Sequence, residues 1–223
     1  MRGAYLRCGS YPDGLHTQGD NRPPAPRVTT QPPNLAPHDF LILMALRSTV
    51  FKANLQISDM DRAYYAHHAL TMARHPSETD ERMMVRLIAF ARHAHEHLTF
   101  ARGLSEDEEP DLWQKDLTGA IVHWIDVGQP DEKRILKASG RSEQVTLYSY
   151  GGHGTTLWWN NLPSRVVRLK NLTVFQIAET SSHALAELVQ RSMDLSCVIE
   201  DGQLWLSDPN TTVVVECSLL QAS

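Results

Sequence analysis

Between Thr49 and Ser58 apolar and polar residues alternate: Phe51, Ala53, Leu55 and Ile57 are separated by Lys52, Asn54, Gln56 and Ser58. A period of two sends successive side chains to opposite faces, so the segment predicts a strand with one wet face. Ser58-Asp59-Met60-Asp61 reads as a turn, and Leu70 and Met72 continue a second alternating strand. An opening β-hairpin follows. His67 and His68 fall in the second strand on opposite faces, so they cannot hold one metal together.

The period then changes. His75-Pro76-Ser77-Glu78-Thr79-Asp80-Glu81 reads as a helix start, with Ser77 accepting a first-turn N–H and the acids opposing the positive end of the dipole. Met83, Met84, Leu87, Ile88 and Ala91 recur at helical spacing, predicting a core-facing stripe to about Phe100 and a C-cap at Gly103. Glu81 sits at the edge of that stripe. Further on, Ile121–Val127 is short, apolar and β-rich. Gly128 ends it, and Pro130 suits a first helical position. A helix is predicted over 131–141, a strand over Val145–Tyr150, and a helix through Trp158 and Trp159 after Gly151-Gly152. A strand Leu172–Ile177, a helix Ala184–Met193, a hairpin about Asp201-Gly202 and a closing strand Val213–Cys217 complete the pattern. The fold class expected is α/β, a mixed β-sheet with flanking helices.

Composition changes the picture mainly at the N-terminus. Residues 1–43 hold seven of the twelve prolines and no helix or strand period, so they cannot bury enough apolar surface to offset chain entropy. They are expected to be a disordered or dispensable extension, with Met44 as the start of a single domain over 44–223. The net charge of −5 argues against a generally polyanion-binding surface but leaves room for a local basic face. Cys8, Cys197 and Cys217 form no disulfide framework, which fits a reducing, cytoplasmic compartment. No apolar run approaches the roughly 18–20 residues a membrane span needs.

Candidate chemistry gathers around one acidic stretch. Glu106, Asp107, Glu108, Glu109, Asp111, Asp116 and Asp126 face only Lys115. Most read as solvated loop charges. Asp126 ends an otherwise apolar strand, where a lone carboxylate is costly without a cation. Asp111 stands where the loop docks, between Pro110 and Leu112-Trp113. The pair could share a hard cation such as Mg²⁺ or Mn²⁺. From Asp131 to Lys170 seven basic residues face three acids, and a basic surface beside paired carboxylates suits a phosphodiester. His93, His95 and His97 read as a solvated late-helix cluster, and Trp158-Trp159 as core packing rather than a base-stacking platform.

Several stretches carry a resemblance. They are His75-Pro76-Ser77-Glu78-Thr79, Glu81-Arg82-Met83-Met84, Asp107 to Trp113, Trp124-Ile125-Asp126-Val127-Gly128, Arg134-Ile135, Lys137-Ala138 and Trp158-Trp159. In that order they resemble the YaeQ family of bacterial proteins over roughly Met44 to Ser218. The resemblance implies a compact variation on the PD-(D/E)XK nuclease architecture: a helix carboxylate, a loop aspartate, a strand carboxylate and a basic residue. Asp111 then matches the motif aspartate, Asp126 the strand carboxylate, and Glu81 the helix carboxylate, with Glu78 its competitor. Gly128 stands where the motif lysine belongs, so the basic role passes to the next helix, to Lys137 with Arg134 beside it, or to Lys133. Two readings follow. One is a Mg²⁺- or Mn²⁺-dependent phosphodiesterase using Glu81, Asp111 and Asp126 as metal ligands, Lys137 as the base, and Arg134 and Lys133 on the phosphate. The other is a non-catalytic module that binds nucleic acid or a protein on the same frame.

Overall fold

The computed structural model describes residues 48–101 and 109–222. The stretch 1–43, the cap expected at Gly103 and the acids Glu106, Asp107 and Glu108 lie outside the described residues.

The opening alternation forms β1 (Thr49–Asp59) and β2 (Tyr64–Arg74), an antiparallel hairpin. The first sheet adds β8 (Ser192–Glu200), β9 (Gln203–Ser207) and β10 (Thr212–Val215), in the order β10-β9-β8-β1-β2. The second contains β3 (Leu98–Phe100), β4 (Leu112–Lys115), β5 (Ile121–Val127), β6 (Ser142–Ser149), β7 (Leu172–Ile177) and β11 (Cys217–Gln221). Its order is β11-β7-β6-β5-β4-β3. Each sheet mixes parallel and antiparallel pairs. The sequence pattern predicts one mixed sheet, but there are two. The expected closing strand Val213–Cys217 is split, because the chain leaves one sheet after Val215 and enters the other at Cys217.

Five helices occur among the described residues: α1 (Asp80–Arg92), α2 (Glu132–Arg141), α3 (His153–Asn160), α4 (Ser164–Val167) and α5 (Glu179–Glu187). α1 packs on α5, and the two lie in the larger core between the sheets. Every residue of α1 from Met83 to Ala91 is buried, including Arg86. An apolar stripe predicts one buried face, but a helix held between two sheets has little wet face left. A second core, built on Trp124, Val145, Leu147 and Val174, joins the other side of the second sheet to α2 and α4.

Several boundaries differ from the periodicity. α1 ends at Arg92, with a β-strand at Leu98–Phe100, so His95 and His97 are exposed turn residues rather than part of a helix. Its N-cap is Thr79, whose hydroxyl accepts the Arg82 N–H at 3.1 Å; Ser77 is engaged with His75 instead. Asp131, not Pro130, opens α2, accepting the Arg134 N–H at 2.8 Å. The helix expected over Ala184–Met193 begins five residues earlier and ends at Glu187, because Met193 belongs to β8. Among the described residues no helix is long and apolar enough to cross a membrane.

Candidate functional site: two carboxylates astride a strand

β5 is buried from His123 to Val127, and alternation divides its C-terminal half. Ile125 and Val127 join the core containing α1, whereas Trp124 joins the core containing α2. Asp126, two residues from Trp124, shares that outer side. Its neighbour across the ladder is not a side chain but the backbone of Asp111, which immediately precedes β4.

The two aspartates are tied reciprocally. The Asp111 N–H reaches Asp126 Oδ1 at 3.3 Å, and the Val127 N–H donates to Asp111 Oδ2 at 2.7 Å. Both are nearly sealed from solvent, at 4% and 2% exposure. Each then takes an arginine from a different helix. Arg82 of α1 donates to Asp111 Oδ2 at 2.7 Å and to the Val127 carbonyl at 3.2 Å. Arg134 of α2 forks onto Asp126, Nε to Oδ2 and Nη2 to Oδ1, both at 2.8 Å. Arg134 Nη2 also donates to the Glu109 carbonyl at 2.8 Å, and Trp124 Nε1 donates to Asp126 Oδ2 at 3.0 Å.

Asp126 therefore accepts four protein donors, about the capacity of a carboxylate's lone pairs. A hard cation would have to displace Arg134 or Trp124 to reach it. Among the described residues no group of three or more His, Cys, Asp or Glu side chains is arranged to hold a metal ion. Burial pushes the Asp111 carboxyl upward; Arg82 opposes that shift and Asp126 reinforces it.

A third carboxylate completes the inner half, and it is Glu78. Its Oε1 accepts from Arg82 Nη1 at 2.9 Å and its Oε2 from Arg86 Nη2 at 3.0 Å. Arg86 Nε lies 2.8 Å from Glu78 Oε1, an ion-pair contact without hydrogen-bond alignment. Arg86 Nη2 also holds the Ala73 carbonyl at 3.0 Å. Glu78, Arg82, Arg86 and Asp111 thus form one internal chain of charges. Burial lowers the proton affinity of Arg82, but Asp111 and Glu78 together raise it above the ordinary guanidinium value. Glu81 turns elsewhere: its Oε1 accepts from Ser182 of α5 at 2.5 Å and lies 3.9 Å from His183 Nε2. Lys133 is exposed and Lys137 half-buried on α2, whose buried residues are Ile135 and Ala138.

The glycine that follows β5 has a conformational reason. Gly128 has φ +109°, a region side-chain-bearing residues rarely adopt, and its N–H donates to the Tyr148 carbonyl at 2.8 Å. The chain leaves extended geometry at this residue, directly after Val127.

A second buried polar group lies deeper in the same sheet. His93 Nε2 meets Tyr148 Oη at 2.8 Å, His123 Nε2 meets Thr146 Oγ1 at 2.8 Å, and the two imidazoles contact edge to face. Burial holds His93 well below the ordinary histidine value and lowers His123 to about 4. Neutral imidazoles so placed serve packing, whereas sequence spacing associates His93 with His95 and His97.

A family model described as YaeQ protein matches residues 44–217. The chain belongs to the YaeQ family. YaeQ proteins of Salmonella typhi and Escherichia coli K12, both described as uncharacterized, are each 39% identical to it over 178 residues. Those alignments cover 80% of this chain and 98% of each relative. The crystal structure of the YaeQ protein from Xanthomonas axonopodis pv. citri superposes with a TM-score of 0.76 at 48% identity, covering 79% of this chain and 99% of that one. The Pseudomonas syringae YaeQ structure gives 0.75 at 36% identity, covering 79% and 97%.

Proposed function

We propose that this YaeQ chain is a non-catalytic nucleic-acid-binding module on a PD-(D/E)XK nuclease-like frame, its former metal carboxylates turned into structural ties. One observation carries the reading. α2 turns one cation onto Asp126, where Arg134 fills the carboxylate, and carries further cations away from its buried side. Lys133, Lys137 and Arg141 recur every four residues along α2, Lys133 and Arg141 exposed and Lys137 half-buried. Four residues of helix rise about 6 Å, so three successive cations lie along one face at a spacing that a phosphate backbone can follow. Phosphate contacts of this kind give salt-dependent affinity without chemistry.

Asp111 and Asp126 occupy the places of the motif's carboxylates, but in this reading they hold β4, β5, α1 and α2 together. Mg²⁺ or Mn²⁺ has no role in it, and Glu81 belongs to the contact with α5. The test combines binding and cleavage on the same panel of single- and double-stranded DNA and RNA. Fluorescence anisotropy should show binding whose logarithm falls with log salt at a slope of about −2 to −3, three phosphates' worth. Replacing Lys133, Lys137 and Arg141 by glutamate should abolish binding. Incubation with Mg²⁺ or Mn²⁺ should leave every substrate intact. Absence of binding would reject the reading, as would metal-dependent cleavage that Asp126→Ala removes.

A further inference from the structure

Of the four sheet edges among the described residues, three are short or interrupted. β10 has four residues and follows Pro209, β3 has three, and β11 has five with a register irregularity between Leu219 and Gln221. β2 is different. It runs for eleven residues at the edge of its sheet, paired among the described residues only with β1 and with no break in register. From Tyr64 to Ala73 it contains no Lys, Arg, Asp, Glu, Pro or Gly, the residues with which natural sheets guard an open edge. Apart from β1, the only group among the described residues that reaches its backbone is Arg86 Nη2, on the Ala73 carbonyl.

An unguarded edge of this length, about 37 Å at 3.4 Å per residue, is a template on which another extended strand can pair. We infer that the occupant is β2 of a second copy of this chain, paired antiparallel about a two-fold axis at Ala69. That axis is the one that keeps all eleven residues in register. It sets Tyr64 against the second copy's Arg74, Ala66 against its Met72, His67 against its Thr71 and His68 against its Leu70. No like charges meet, the small Ala69 lies on the axis, and Tyr64 meets a cation across the strand. The side chains of Ala66, His68 and Leu70, half-buried in one copy, gain a neighbour that covers them. The two five-stranded sheets become one of ten strands. The inference is independent of what α2 binds.

Charge reversal across the axis tests it in the full-length chain. His67 and Thr71 are exposed, and within one copy they face Gln56 and Lys52 of β1. The variant His67→Glu/Thr71→Glu places Glu against Glu at both symmetry-related positions. The variant His67→Lys/Thr71→Glu places Lys against Glu at both. Both carry the same Thr71→Glu change beside Lys52, so the monomer fold is matched, which circular dichroism checks. Sedimentation velocity across micromolar concentrations should give a dimer for the wild type. The dissociation constant should rise at least about tenfold in the Glu/Glu variant and return in the Lys/Glu variant. A monomeric wild type overturns the inference. So does a dimer indifferent to Glu/Glu, or a Glu/Glu monomer that Lys/Glu does not rescue.

Discussion

Replacing Arg134 by methionine isolates the tie between α2 and β5. The stem of the side chain is roughly retained, but the fork onto Asp126 and the bond to the Glu109 carbonyl are lost. Asp126 keeps the Trp124 N–H and the Asp111 N–H, yet its carboxylate, 3% exposed, no longer has a cation. Removing one partner of a buried pair costs roughly 3–5 kcal/mol, because the remaining charge stays desolvated. The Arg134 side chain is 27% exposed, so water already screens part of the interaction and the lower end applies, about 3 kcal/mol. For a domain of this size that corresponds to a fall of roughly 6–12 °C in Tm. Equilibrium urea unfolding measures the loss. Asp126→Asn in the Arg134→Met background should then cost little or restore stability, because the uncompensated charge is gone, giving a coupling of about 2 kcal/mol between the two sites. If Arg134→Met unfolds within about 0.5 kcal/mol of wild type, the range of ordinary surface substitutions, the fork is a surface contact and Asp126 is held by its backbone and tryptophan donors alone.

The two helix carboxylates should separate sharply. Glu78→Gln strands the buried Arg86 and should cost about 3 kcal/mol, whereas Glu81→Gln, facing Ser182 and an exposed His183, should cost less than about 1; thermal unfolding distinguishes them. Gly128→Lys supplies a lysine two residues after Asp126 but forces φ +109° on a side-chain-bearing residue. It should destabilise the fold by about 1–2 kcal/mol and confer no metal-dependent cleavage. The His123 pKa, about 4 when folded against 6.5 unfolded, is depressed, so its contribution is complete above pH 6.5 and is lost as pH falls toward 4. Over that window His123 removes at most about 3 kcal/mol, at 1.36 per pKa unit. Urea unfolding from pH 7 to 4.5 should steepen accordingly and flatten in His123→Gln.

Much of the local structure is legible before folding. The alternation of Phe51, Ala53, Leu55 and Ile57 reports β1 because a half-buried strand must alternate. The apolar run Ile121–Val127 reports a strand covered on both sides, and Asp201-Gly202 reports its hairpin. Arg134, the third residue of a capped helix after Asp126, is also within reach of reasoning from sequence, since a buried carboxylate needs a cation. Glu78, Arg82 and Arg86 recur every four residues, so their common face is readable too. Their burial is not, because helical spacing cannot say that a helix will be enclosed by two sheets.

Tertiary structure decided the rest through distances that sequence separation hides. Glu81 and Glu78 are three residues apart and of one residue type, yet one reaches α5 and the other the arginines beside Asp111, because Glu81 lies within α1 whereas Glu78 precedes its Thr79 cap, outside the helix. His93 parts from its sequence neighbours His95 and His97 where α1 ends at Arg92, and meets His123 and Tyr148 instead. The single predicted sheet became two because Glu216 is where the last strand changes partners. What the sequence determined was which residues want burial, alternation or a counter-charge. Which partner satisfies each demand was settled only by packing, since every long-range contact competes with all the others for the same interior.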